Sequence, residues 1–265
     1  MKRVLEGILA SKRAELSVAS TFHVETSYEP EGLVLETLRR LPGQPLRLVA
    51  EIKPRSPSAG QLSTALSIED RAQAYAEAGA AMISVLVDKP FFGGSYEHLS
   101  RCRQSLDARY GTARPRLLGK EFILDPVQLA WAAAAGADAV LLIARIVTTD
   151  ELRRLVDEAL ARGLEPLVEV TTEAELQNAQ STKTRMIGVN ARDLDTLEIN
   201  AERAAEVLTR IESSRVRMFL SGLVLPDDVG RIARGSADAA LVGEALMRQD
   251  DPTALLSEMV RRAKR

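Results

Sequence analysis

Glu51 and Lys53 stand two residues apart at the end of a short apolar run, Leu46-Arg47-Leu48-Val49-Ala50. Residues i and i+2 of a strand share one face. A strand here would therefore project a carboxylate and an ammonium side by side just where it stops. A buried strand has little reason to carry that pair unless the two groups meet a ligand or each other. Further apolar runs end in similar residues: Lys120-Glu121-Phe122, Glu169 within Leu167-Val168-Glu169-Val170, Asn190 and Arg192, Ser221-Gly222, and Gly243-Glu244. Lysines and carboxylates serve acid–base chemistry when burial and neighbouring charges tune them. Glycine turns bring backbone N–H groups close to an anion such as phosphate.

The elements that must position these residues follow from a recurring theme. An Ala-rich helical stretch, a Gly-Ala turn and a β-branched apolar run appear at 76–87, 135–143 and 235–243. Glycine after a helix supplies a left-handed cap, and an apolar run of this kind is a strand buried on both faces. Eight such strands are predicted, near Leu48–Ile52, Met82–Val87, Pro115–Leu118, Ala139–Ile143, Glu165–Val170, Met186–Val189, Val216–Leu220 and Ala239–Val242. Helical patterns separate them, several opened by start signals at Asp125-Pro126, Thr149–Leu152 and Asp251-Pro252. Eight alternations over this length predict an α/β fold, a (β/α)8 TIM barrel. A doubly wound open sheet is the alternative, but no Gly-rich dinucleotide fingerprint follows the first strand. The whole chain, residues 1–265, is expected to be one domain. Within it, residues 1–45 form a helical extension and 46–265 the barrel. Helices at Val4–Leu16 and Gly32–Leu41 are expected to cover the barrel's bottom or border its mouth.

Composition narrows the function classes. Lys plus Arg number 35 against 37 Asp plus Glu, a balance without the basic footprint of a nucleic-acid binder. A single cysteine, Cys102, permits no intrachain disulfide and suits a reducing cytoplasm. Two distant histidines, His23 and His98, have no ligand cluster beside them, so a zinc site is not expected, and nothing else in the sequence calls for a metal or organic cofactor. Charges interrupt the first residues, as a signal core does not allow, and the most apolar stretch, 129–143, is too short and broken to span a membrane.

In such a barrel the strand C-termini converge on one mouth. Singly, each charged residue there reads equally well as a structural ion pair. Together they would be very costly without a ligand. Gly222 and Gly243 are each ordinary turn glycines when taken alone. As a pair after strands seven and eight they fit a phosphate site, with the Glu244 side chain turned away.

The residues that carry these signals resemble those of the indole-3-glycerol phosphate synthase family. The matching motifs are Glu51-x-Lys53-x-x-Ser56-Pro57-Ser58, Phe92-x-Gly94-Ser95, Lys120-Glu121-Phe122-Ile123, Leu167-Val168-Glu169-Val170, Gly188-Val189-Asn190-x-Arg192-Asp193-Leu194, Ser221-Gly222 and Leu241-Val242-Gly243-Glu244-x-Leu246-Met247. They occur in order along nearly the whole chain. The resemblance implies closure of a pyrrole ring on 1-(2-carboxyphenylamino)-1-deoxyribulose 5-phosphate, with loss of carbon dioxide and water, in tryptophan biosynthesis. It implies Lys120 as the acid at the ribulose carbonyl, assisted by Lys53, and Glu169 as the acid–base group of dehydration. Glu51 would hold Lys120, and Asn190 would bond a sugar hydroxyl. Arg192, with Lys53, would meet the substrate carboxylate. Ser56, Ser221, Gly222, Gly243 and the Glu244 N–H would cradle phosphate. Phe92, Phe122, Leu141 and Ile143 would wall the anthranilate ring, though each could equally be ordinary core. A monomer in the cytoplasm is expected, with neither nucleic acid nor membrane as partner.

Three positions depart from the family pattern. Leu220 stands where relatives carry glutamate before Ser-Gly, Thr171 where they often carry Asn or His, and Pro54 where a basic residue is common. With one carboxylate fewer, the lysine pKa values are expected to fall. A slower synthase, and a paralogue or engineered variant with altered chemistry, both fit. A barrel isomerase of the phosphoribosylanthranilate type and a non-catalytic phosphosugar binder stand as alternatives. The isomerase reading is weakened because Cys102 sits in a helical pattern rather than at a strand end.

Overall fold

The computed structural model describes residues 3–18, 33–57 and 59–264. His23, Gly32 and the motif residue Ser58 lie outside them. Eight strands alternate with helices: β1 (Arg47–Ile52), β2 (Met82–Leu86), β3 (Arg116–Lys120), β4 (Ala139–Ile143), β5 (Glu165–Val170), β6 (Met186–Asn190), β7 (Val216–Leu220) and β8 (Ala239–Val242). All pair in parallel and in chain order, and β1 also pairs with β8, so the sheet closes on itself. Closure excludes the open doubly wound alternative.

Strand side chains alternate between two packed layers. Val49, Leu118, Leu141, Leu167, Met218 and Leu241 fill the barrel interior. Ala50, Ile52, Val85, Leu142, Val168 and Val189 face the helices outside. On β1 the inward set continues from Val49 to Glu51, so the first charged residue lies directly above a packed core. Each fully buried aliphatic side chain contributes about 1.5–3 kcal/mol, and the charged rim is carried on that floor.

The helices follow their local signals. Helix α6 (Pro126–Ala134) opens on the Asp125 side chain with Gln128 bonding back. Thr172 and Glu175 make the same reciprocal cap on α8 (Glu173–Gln180). The helix expected from Thr149 begins there, and its capping residue lies one position earlier. Thr148 is the capping residue of α7 (Thr149–Ala161), because its hydroxyl and the Glu151 carboxylate bond each other's backbone N–H. Gly79 and Gly136 are left-handed, φ 94° and 86°, as expected after their helices. Gly235 is not. Its N–H bonds Ile232 O at 2.9 Å and the chain leaves α10 (Pro226–Ala233) without a left-handed residue.

The extension divides between the two ends of the barrel. On α1 (Arg3–Val18), Val4, Leu5 and Ile8 border the mouth. After α2 (Leu33–Leu38), Arg40 donates to Ala237 O and Ala233 O, and Arg39 to Ser213 O and Ser214 O. Those carbonyls precede β8 and β7, so α2 covers the bottom. Both expected placements are therefore realised, one by each helix.

Candidate active site

A cavity of about 390 Å³ opens at the strand C-termini. Glu51 lies at its floor, 1 % exposed. Lys120 Nζ donates to Glu51 Oε2 at 2.5 Å, and Lys53 Nζ lies 2.7 Å from Oε1. The two lysines come from different strand ends, β3 and the residue after β1, and one carboxylate holds both. Burial alone would raise the Glu51 pKa, but the two ammonium groups outweigh it and hold it down to about 2. Gly243 makes room for this carboxylate. A Cβ there would lie 2.5 Å from Glu51 Oε1. Its φ of −122° needs no glycine, so space rather than backbone freedom explains the residue.

Lys120 does not follow the expected fall in pKa. Burial does push it down, but the Glu51 and Glu169 carboxylates and the hydrogen bond to Glu51 more than offset this, and it lies above the ordinary lysine value. The expectation counted the carboxylate missing at Leu220 and overlooked how closely the remaining two are placed.

Glu169 is pushed above the ordinary glutamate range, chiefly by burial and partly by the Glu51 charge, against the pull of Lys120 and Asn190. Asn190 Nδ2 donates to Glu169 Oε1 at 2.9 Å, and its Oδ1 accepts the Arg192 N–H at 2.9 Å. The asparagine amide thus ties the β5 carboxylate to the loop after β6. The Arg192 guanidinium reaches Leu197 O at 3.1 Å and lines the cavity. Arg145 braces this loop from outside, with Nη1 3.3 Å from Asp193 and 3.2 Å from Asp195.

One wall is apolar. Phe92 and Phe122 stack with centroids 6.0 Å apart and 30° between planes, and Leu141 and Ile143 continue the surface. Ser56, Ser221, Gly222, Gly243 and Glu244 lie around the same cavity. Ser221 and Gly222 both have positive φ, 72° and 81°, so the turn exposes consecutive backbone N–H groups. The Ser56 hydroxyl accepts the Ala59 N–H at 3.1 Å. The Glu244 carboxylate is drawn by Arg248 into an exposed pair at 2.7 Å. Every residue proposed from the sequence therefore borders one cavity. Leu220 does not. It is buried beneath, in the inner core, where its Cδ1 occupies the space a Cβ at Gly188 would need.

Sequence reasoning missed Val4, Leu5, Ile8, Glu121 and Arg248 as lining residues. The spacing of Leu5, Ile8 and Lys12, which places them on one helical face, is the signal that could have found the first group. Among the described residues no group of three or more His, Cys, Asp or Glu is arranged to hold a metal ion. No described helix is long and apolar enough to cross a membrane.

A closed eight-stranded parallel barrel with lysines, carboxylates and a glycine turn at the strand C-termini defines a (β/α)8-barrel enzyme. Solved structures agree on the fold. A 3-hexulose-6-phosphate synthase from Salmonella typhimurium aligns with TM-score 0.62 and 14 % identity over 82 % of this chain and 98 % of that one. A tryptophan synthase alpha chain from Legionella pneumophila aligns with TM-score 0.62 and 15 % identity over 87 % and 97 %. The family profile described as indole-3-glycerol phosphate synthase matches residues 5–259. Relatives of that description include one from Nocardioides sp., 42 % identical over 80 % of this chain and 79 % of its own length. Another, from Koribacter versatilis, is 36 % identical over 98 % and 100 %. The chain belongs to the indole-3-glycerol phosphate synthase family.

Proposed function

We propose that the protein closes the indole ring of indole-3-glycerol phosphate from 1-(2-carboxyphenylamino)-1-deoxyribulose 5-phosphate. The observation that carries this reading is Glu51 holding Lys53 and Lys120 at the edge of an apolar, aromatic-walled cavity, with a glycine turn beside them. The substrate has parts to match each region: an aryl ring for Phe92 and Phe122, a phosphate for the N–H groups around Ser221, Gly222, Gly243 and Glu244, and a carboxylate for Arg192.

In the first step the aromatic carbon bearing the carboxylate bonds the ketone carbon. The carbonyl oxygen takes a proton from Lys120, with Lys53 beside it. A raised lysine pKa is no obstacle, because a developing alkoxide is more basic than any lysine. Carbon dioxide then leaves, its bonding electrons returning to the ring. A wall that solvates a carboxylate poorly favours that loss. Finally the new hydroxyl departs as water on a proton from Glu169, which its raised pKa keeps available. The resulting carboxylate takes a proton from the carbon next to nitrogen, completing the double bond and restoring Glu169, while Lys120 regains its proton from solvent. Asn190 holds Glu169 at that point.

We treat residues 1–265 as one barrel unit working as a monomer in the cytoplasm. A site complete within one chain and a single, buried cysteine support this. The test is indole fluorescence on mixing protein and substrate. Product is expected from the unaltered protein and not from Lys120→Ala. Equal signals from the two would sink the reading. Substrate binding with no product would support a non-catalytic binder instead.

A further inference from the structure

We propose that Lys12 is a positioning residue for the aromatic side of the cavity: its ammonium bridges the loops after β2 and β3 and so holds Phe92 and Phe122 as one wall. This rests on the synthase reading for the identity of the ring that meets the wall.

Lys12 lies on α1, far from the barrel strands in sequence, yet it is only 1 % exposed. Its Nζ sits 3.0 Å from Glu121 Oε2, 3.3 Å from Asp88 Oδ1 and 2.8 Å from Glu15 Oε2. Glu121 and Asp88 are themselves buried, so neither carboxylate has solvent to stabilise it. Each spends its second oxygen on the backbone that carries a phenylalanine. Glu121 Oε1 accepts the Phe122 N–H at 2.8 Å. Asp88 Oδ2 accepts the N–H groups of Phe91 and Phe92 at 2.9 and 3.2 Å, capping the short helix α4 (Lys89–Phe92). One ammonium therefore joins two strand-end loops, and each loop delivers one ring of the stacked pair. Glu121 also directly follows Lys120, which places the bridge one residue from the reacting centre.

The same helix adds to the wall it fastens. Ile8 and Leu5 stand one and two turns before Lys12 on the same face and line the cavity. Burial of the three charges favours an assembled arrangement over a loosened one, because breaking a buried pair strands a charge. The ammonium stays charged throughout. Burial lowers its pKa, but Glu121, Glu15 and Asp88 together raise it to about 12. Burial pushes the Glu121 carboxyl above its ordinary value against the pull of Lys12, and the role of the bridge is geometric.

The experiment separates ring affinity from phosphate affinity. Indole-3-glycerol phosphate and glycerol 3-phosphate are titrated calorimetrically into the unaltered protein, Lys12→Met, Lys12→Arg and Glu121→Gln, and KM and kcat are measured for each. Lys12→Met is expected to weaken indole-3-glycerol phosphate about tenfold, the scale of one aromatic contact. Glycerol 3-phosphate should stay within about twofold, and KM should rise more than kcat falls. Lys12→Arg is expected to recover most of the ring affinity. Equal weakening of both ligands, or no weakening, overturns the proposal. Should Lys12→Met fail to fold, Glu121→Gln decides. It keeps side-chain size and the acceptor for Phe122 while removing the charge that Lys12 meets, so the same selective loss supports the bridge and its absence overturns it. An unaltered protein that binds both ligands but forms no indole overturns the synthase reading alone.

Discussion

Glu51 balances two ammonium groups at once, and that double duty makes its neighbours sensitive. A methyl group at position 243 would press on Oε1 of a carboxylate that two lysines hold in place. Gly243→Ala is expected to cut kcat about a hundredfold, the cost of an ångström-scale displacement in a catalytic group, with the melting temperature little changed. Steady-state kinetics beside a thermal melt checks this. The pH profile should separate the two carboxylates. In the proposed mechanism Glu169 is protonated to release water, so kcat is expected to fall as pH rises through a value above the ordinary glutamate pKa, and this limb should vanish in Glu169→Gln. Lys120 should add no limb below the ordinary lysine range. For Glu51 the sign is opposite. Its folded pKa is depressed, so its contribution to stability is complete above 4.5 and is lost as pH falls toward about 2. Urea midpoints across that window, compared with Glu51→Gln, measure it. Leu220 was read from the sequence as a gap in the charge ring, yet it lies outside the cavity wall and fills the space left by Gly188. Leu220→Glu is therefore expected to lower stability by roughly 3 kcal/mol, the cost of a carboxylate buried among aliphatic groups, without raising turnover. A faster enzyme would show that the missing charge limits the rate.

At the scale of elements, the strands were legible because runs such as 139–143 and 186–189 are apolar on both faces and are followed closely by polar residues. The strand-end residues were legible for the same reason, since Glu169 and Glu51 are conspicuous inside or beside such runs. Contacts between elements distant in sequence were not. Nothing local distinguishes Lys12 from a solvated helix lysine, because its partners Asp88 and Glu121 are brought to it only by barrel closure. The turn at Gly235 was misjudged because a glycine after a helix, here in Gly235-Ser236-Ala237, looks the same in sequence whether or not its φ is positive. At the opposite end of the barrel, Arg114 makes a bidentate pair with Asp138, whose carboxylate also accepts the Leu117 N–H. That network is far from the mouth, so Asp138→Asn is expected to lower the urea midpoint while leaving KM unchanged.

The whole molecule is closed by its extremes. β1 pairs with β8 across nearly two hundred residues of sequence, and α1, which precedes β1, borders the mouth at the strand C-termini. Among the described residues of the extension, α1 stands at the mouth and α2 under the core. Its composition alone did not separate these roles, since both helices offer an apolar face of similar character.

The placement of α1 also orders events in time. Its apolar residues and Lys12 have no surface to dock on until the loops after β2 and β3 stand on a completed ring of strands. Secondary structure can form while the mouth is still open, but the aromatic wall of the cavity cannot. In refolding from denaturant, catalytic activity is therefore expected to return after far-ultraviolet circular dichroism has recovered, and coincident recovery would show that the helix docks before the barrel closes.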